Sequence, residues 1–130
     1  MVLLVSVKDL IGFLIPNSVE EIGTSAFHSS SLRHMYWNAS VDEIPENSFS
    51  DCKNLYAISF LKGIKSIGSY AFRNCSGLFY MQLPRGVEYI GYNAFEGSPC
   101  EKQIKKNYAS VLSSDYGQLQ RSIREGLYED

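Results

Sequence analysis

The side chains whose types could do chemistry are three cysteines, two histidines and a run of serines. Cys52 and Cys75 lie 23 residues apart. Such a pair is open to metal or redox chemistry, but a disulfide needs Cα atoms within roughly 7 Å, which spacing alone does not supply. The competing reading is a pair of buried thiols, one above the other, each satisfying a nearby backbone group. Cys100 stands outside this spacing and reads as a separate, exposed thiol. His28 and His34 share no ligand spacing with any cysteine, so no zinc site is expected. Ser29, Ser30 and Ser31 read as a turn. The chain lacks the nucleophile elbow, the zincin helix, the P-loop and the dinucleotide fingerprint. No catalytic residue, metal or cofactor is assigned, and the chain reads as a non-enzyme.

The composition narrows the field further. In 130 residues, 45% are apolar and 20% charged, enough apolar material for one domain and too few charges for a disordered tail. Twelve basic and fourteen acidic residues give a net charge of −2, so there is no basic field for nucleic acid. No apolar run of about 18 residues is present to span a membrane. Met1 to Val7 is apolar without a basic leader; it reads as a strand, or the remains of one, rather than a signal. Two glycosylation-type sequons, at Asn38 and Asn74, matter only on a secretory route.

The elements that hold these residues are set by a repeat. Phe27, Phe49, Phe72 and Phe95 are spaced 22, 23 and 23 residues apart. Ile22, Ile44, Ile67 and Ile90 keep the same register, as do Val19, Val41, Ile64 and Val87. Ala26, Ser48, Ala71 and Ala94 put a small residue before each Phe. Leu32, Leu55 and Leu78 each open a stretch of alternating character: LRHMYW, LYAISF and LFYMQL. An earlier partial copy, LIGFLI, runs from Leu10 to Ile15. The first copy is one residue shorter between Phe27 and Leu32, in a segment that is therefore expected to be a turn.

Within each stretch the inner residues are two apart, the period of a strand buried on one face. A Pro- or Gly-containing turn follows, then Val/Ile-x-x-Ile, then a coil or single helical turn carrying the Phe. One such unit buries too few side chains to offset the ordering of its own backbone, so units must stack. The expected product is a solenoid with a parallel sheet along one side. Its core is Ile22, Phe27, Ile44, Phe49, Cys52, Leu55, Ile67, Phe72, Cys75, Leu78, Ile90 and Phe95.

Residues 64–84, IKSIGSYAFRNCSGLFYMQLP, resemble the BspA-type leucine-rich repeat, and the resemblance runs over residues 10–100. It implies an α/β-class leucine-rich-repeat solenoid: a short right-handed arc with a parallel sheet on its concave side and coil or single helical turns on its convex side. It also implies binding of other macromolecules, no catalytic residues, and relatives that are often surface-exposed or secreted. The first copy departs by lacking the Cys, and the last by displacing it to Cys100. Residues 1–100 are expected to form about four coils, and 101–130 a helical C-terminal cap or tail. Ile104, Tyr108 and Leu112 share one helical face, and Leu119, Ile123 and Leu127 another, with Ser113, Ser114 and Asp115 between them.

The strand face left free carries Arg33, His34 and Tyr36, then Tyr56, Ala57 and Ser59, then Phe79, Tyr80 and Gln82, with Gly12 and Leu14 from the partial copy. Nothing in the repeat requires aromatics there, and Tyr and Phe give large contact area at small rotamer cost. Arg33, His34, Tyr36, Tyr56, Ser59, Phe79, Tyr80 and Gln82 are therefore the candidate partner-binding residues. Four strands project a patch of about 300 Å², below the roughly 800 Å² per partner of a standard interface, which suits a peptide or a weak contact. Glu20, Glu21, Asp42, Glu43 and Glu46 form one charged flank and Lys102, Lys105 and Lys106 another; both read as solvated faces. Three functions remain open: a recognition module for a protein or peptide, a structural subunit of a larger assembly, and a fragment of a surface adhesin.

Overall fold

The alternating stretches form strands. The computed structural model describes Val2–Leu3 and residues 12–116. Strands β2 (Gly12–Ile15), β4 (His34–Trp37) and β6 (Ala57–Phe60) pair in parallel. Gly12 lies beside His34 and His34 beside Ala57, so equivalent residues of successive coils sit side by side. In β4, Met35 and Trp37 are fully buried while Tyr36 faces out. The Val/Ile-x-x-Ile segments give a second row of two-residue strands. Of these, β1 (Val2–Leu3) pairs with β3 (Glu21–Ile22), while β5 (Glu43–Ile44), β7 (Ser66–Ile67) and β8 (Tyr89–Ile90) form a parallel sheet.

The side opposite the longer sheet holds stacked turns where single helical turns were the alternative. Ser25, Asn47, Tyr70 and Asn93, two residues before each core Phe, have φ between 48° and 60°. Ser29, Asp51, Asn74 and Gly97, two residues after it, are also left-handed. A left-handed residue every fourth position interrupts the run of right-handed dihedrals a helix needs. Amide directions alternate as a result. Phe27, Phe49 and Phe72 donate N–H to Ser48, Ala71 and Ala94 of the next coil at 2.7 to 2.9 Å. Intervening amides close turns within a coil, as Ser50 does onto Asn47.

These bonds bring the phenylalanines into one column. Phe27, Phe49, Phe72 and Phe95 stack with centroids 5.2, 5.2 and 5.1 Å apart and ring planes within 12°. All four are fully buried. Phe13 tilts against the first ring, and Trp37 meets Phe49 edge-on. Gly68 and Gly91 lie where a Cβ would come within 2.6 Å and 2.8 Å of backbone nitrogen in the preceding coil.

The fourth stretch departs from expectation. Residues 79–83 form no strand, and no backbone hydrogen bond joins them to β6. Among the described residues the longer sheet therefore has three strands. Residues 79–83 are held instead from the carboxy-terminal side. Helix α1 (Glu101–Asn107) follows Cys100, whose N–H donates to the Leu78 carbonyl at 2.9 Å. Gln103 of α1 imitates a strand: its Oε1 accepts the Met81 N–H at 3.1 Å and its Nε2 donates to the Met81 carbonyl at 3.0 Å. The Tyr108 hydroxyl accepts the Leu83 N–H, and the Tyr116 hydroxyl accepts the Phe95 N–H. Ser113 N–H donates to the Ile90 carbonyl, beside a parallel bridge from Ile90 to Leu112. Side chains of the cap thus satisfy backbone groups that a further coil would otherwise take. Ile104 is fully buried, with Tyr108 and Leu112 half-buried beside it. Leu119, Ile123 and Leu127 lie outside the described residues.

Candidate functional site

The outer face of the longer sheet and the segment 79–83 after it hold two aromatic groups. In the first, the register of β4 against β6 brings His34 Nε2 within 2.8 Å of Ser59 Oγ. The His34 ring stacks on Tyr36 with centroids 4.3 Å apart and planes 5° apart, and it meets Tyr56 edge-on at 5.7 Å. Gly12, on the neighbouring strand, leaves room for this: a Cβ there would already touch the Tyr36 ring at 3.5 Å. Tyr36 and Tyr56 remain exposed although His34 holds them. Arg33 is exposed beside this group, and Leu14 adds apolar surface at its other edge.

The second group is Phe79, Tyr80 and Gln82. Phe79 is 73% exposed and Tyr80 58% exposed, with the Tyr80 hydroxyl donating to Gln82 Oε1 at 3.1 Å. Arg33, Tyr56 and Phe79 occupy one repeat position; His34, Ala57 and Tyr80 occupy the next. The structure thus joins His34, Tyr36, Tyr56 and Ser59 directly and sets Phe79, Tyr80 and Gln82 one coil further on. Exposed Leu61 and Tyr89 were not singled out from sequence. Tyr89 follows Glu21, Glu43 and Ser66 in an outward-facing column, and the break from polar residues to an aromatic was the available signal.

The cysteines belong to the interior. Cys52 Sγ donates to the Phe27 carbonyl at 2.9 Å and Cys75 Sγ to the Phe49 carbonyl at 3.0 Å. Ser98 Oγ donates to the Phe72 carbonyl and accepts the Cys75 N–H, while Ser30 Oγ lies 3.5 Å from Cys52 Sγ. Serine therefore takes the cysteine position in the first and last copies, and Ser98 keeps the donor to the carbonyl of the coil before it. Cys100 is fully buried at the start of α1, a correction to the exposed thiol expected from its displacement. Among the described residues no three His, Cys, Asp or Glu side chains gather to hold a metal.

Burial pushes all three thiols up, Cys100 to about 12. They stay protonated and poorly nucleophilic at neutral pH. A folded pKa above the unfolded one adds stability only while the unfolded thiol is protonated. That contribution is complete below about pH 8.5 and falls by up to about 1.4 kcal/mol per pH unit per thiol above it. Urea unfolding from pH 7 to 10 is expected to show a steeper alkaline decline in the wild-type chain than in a Cys52→Ser/Cys75→Ser variant, whose serines keep the donor and do not titrate. Equal declines would contradict the burial argument.

One polar arrangement has the residue types of a hydrolase. His28 Nδ1 lies 3.1 Å from Ser29 Oγ, and His28 Nε2 lies 3.3 Å from Asp51 Oδ2. Both the His28 and Asp51 side chains are 40% or more exposed, so water competes for each contact and no dry site forms around the serine. Asp51 also accepts from Asn74 Nδ2 at 3.2 Å, which makes this a surface ladder between coils. Of the charged flanks, Asp42 pairs loosely with Lys65, and Lys105 with Glu101.

A model of the BspA-type leucine-rich repeat region, in six copies, matches residues 6–113. No curated protein matches the chain. Two solved structures are similar. One is a leucine-rich repeat protein from Eubacterium ventriosum, with a TM-score of 0.55 and 26% identity, covering 71% of this chain and 32% of that one. The other is a leucine-rich repeat protein from Bacteroides ovatus, with a TM-score of 0.54 and 21% identity, covering 82% of this chain and 36% of that one. The chain thus spans about a third of the length of either structure.

Proposed function

Because this chain belongs to the BspA-type leucine-rich repeat family, we propose that it is a non-catalytic recognition module whose outer strand face takes a protein or peptide. The observation that carries this reading is the exposure of Tyr36, Tyr56, Phe79 and Tyr80 on one face of the solenoid. Burying that much aromatic surface against a partner is favourable at about 25 cal/mol per Å², and exposed Tyr side chains serve as anchors. His34 fixes Tyr36 and Tyr56 in place before a partner arrives, which lowers the entropy lost on binding.

Tyr56 and Tyr80 are each more than half exposed, so truncating them leaves the core untouched. In side-by-side affinity capture, a Tyr56→Ala/Tyr80→Ala variant is expected to retain every partner at least about tenfold more weakly than the wild-type chain. Its circular dichroism and urea midpoint should be unchanged. Retention of all partners at wild-type strength would remove the strand face from the account.

A further inference from the structure

The unpaired seam between β6 and residues 79–83 has a defined chemistry. Leu61 N–H donates to the Trp37 carbonyl. In a parallel pair alternate residues turn their backbone groups to one neighbour, so Ser59 and Leu61 face β4 while Ile58 and Phe60 face away from it. On the other bank, Met81 gives both its backbone groups to Gln103, and Leu83 gives its N–H to Tyr108. Tyr80 and Gln82, beside and between them, make no backbone hydrogen bond. No hydrogen bond joins the backbone of Ile58 or Phe60 to that of Tyr80 or Gln82. The same two coils are fully bonded elsewhere: Glu88 to Lys65, Gly91 to Ile67, Tyr70 to Tyr92 and Phe72 to Ala94. The interior is also less closed at the seam. Every residue of β6 is half-exposed, whereas Met35 and Trp37, one coil earlier, are fully buried.

We propose that an extended peptide adds here as a strand, bonding to the backbone of Ile58 and Phe60. This rests on the recognition reading above and specifies its partner. The groups left over are backbone groups, so the matching ligand is another backbone in extended form. The half-buried Ile58 and Phe60 side chains call for apolar residues at alternate positions, the pattern of the solenoid's own strands. Exposed Tyr56 flanks the seam on one bank and Phe79 and Tyr80 on the other. Admitting a strand moves residues 79–83, with the buried Met81 and Leu83, outward by about 4.8 Å and breaks no backbone bond to β6. In the turn that follows them, Gly86 has φ of 93° and no neighbour within 4 Å of its Cβ position.

The test uses the whole chain and a capped peptide copying residues 33–38. Amide exchange at Ile58 and Phe60 is read by NMR, beside an analogue of the peptide N-methylated at alternate residues. The peptide is expected to slow both amides at least about tenfold, and the analogue is expected to have no effect. The strand-addition proposal is overturned if these amides are already as protected as those of β4, or if neither peptide acts. Equal binding by both peptides overturns it too, since capture would then be by side chains alone and the strand face would still serve recognition. The recognition reading itself fails only through the Tyr56→Ala/Tyr80→Ala result.

Discussion

Phe72→Ala is expected to destabilise the chain by about 3–5 kcal/mol, a large share of the 5–15 kcal/mol typical of a whole domain. Phe72 is fully buried and stacks on Phe49 at 5.2 Å and on Phe95 at 5.1 Å, both rings nearly parallel to it. Truncation removes the transfer energy of the ring, opens a cavity in the middle of the column, and breaks two stacking contacts worth about 0.5–1.5 kcal/mol each. Phe95 is the comparison. It meets one ring of the column, and its own N–H is held by the Tyr116 hydroxyl. In a solenoid, stability is a sum of nearest-neighbour terms, so Phe95→Ala should cost less than Phe72→Ala by about one stacking contact. Urea unfolding of the two variants measures both numbers. Equal losses would mean that the rings act as independent core residues.

The Phe column was legible in the sequence because stacking repeats one side chain at one place per coil. The physical event and the sequence period are the same thing. The outward turn of His34 and Tyr36 against buried Met35 and Trp37 was legible from the strand period of two. What escaped was whatever depends on two distant copies at once. LFYMQL reads like LYAISF, yet only the latter becomes a strand. In LFYMQL, backbone groups of Met81 and Leu83 go to Gln103 and Tyr108, and no pattern within the stretch reports where a cap will land. Serine at positions 30 and 98 passed for a loss of the cysteine, since the repeat was read by apolar character. The shared requirement is a short side chain that donates to the carbonyl of the coil before it, as Cys75 and Ser98 both do. The pairing of His34 with Ser59 escaped too, because it needs the cross-strand register of β4 on β6.

Gly68→Ala tests the stacking itself rather than the core that stacking creates. A Cβ at this position would lie 2.6 Å from the Glu46 nitrogen and 2.9 Å from the Pro45 carbonyl carbon. Both are backbone atoms of the adjacent coil, so no side chain can swing aside to make room. Relief requires the coils to part where Gly68 N–H donates to the Ile44 carbonyl at 2.7 Å. The expected cost is about 3 kcal/mol, the upper end of the range for overpacking, since one methyl strains a bonded seam between coils. Gly63→Ala is the control. There the Cβ would sit 3.7 Å from the Arg85 carbonyl oxygen, an ordinary contact, and the change should stay within about 0.5 kcal/mol of wild type. Amide exchange locates the damage: Gly68 and Asn47, whose N–H groups bond across this seam to Ile44 and Ser69, should lose protection in the Gly68 variant, while the amides of β4 keep theirs. If the two alanine variants unfold at the same urea concentration, close approach of the coils is not what demands glycine in this column. The repeat would then owe its Gly to the turn, and the separation of coils would be set by the Phe rings alone.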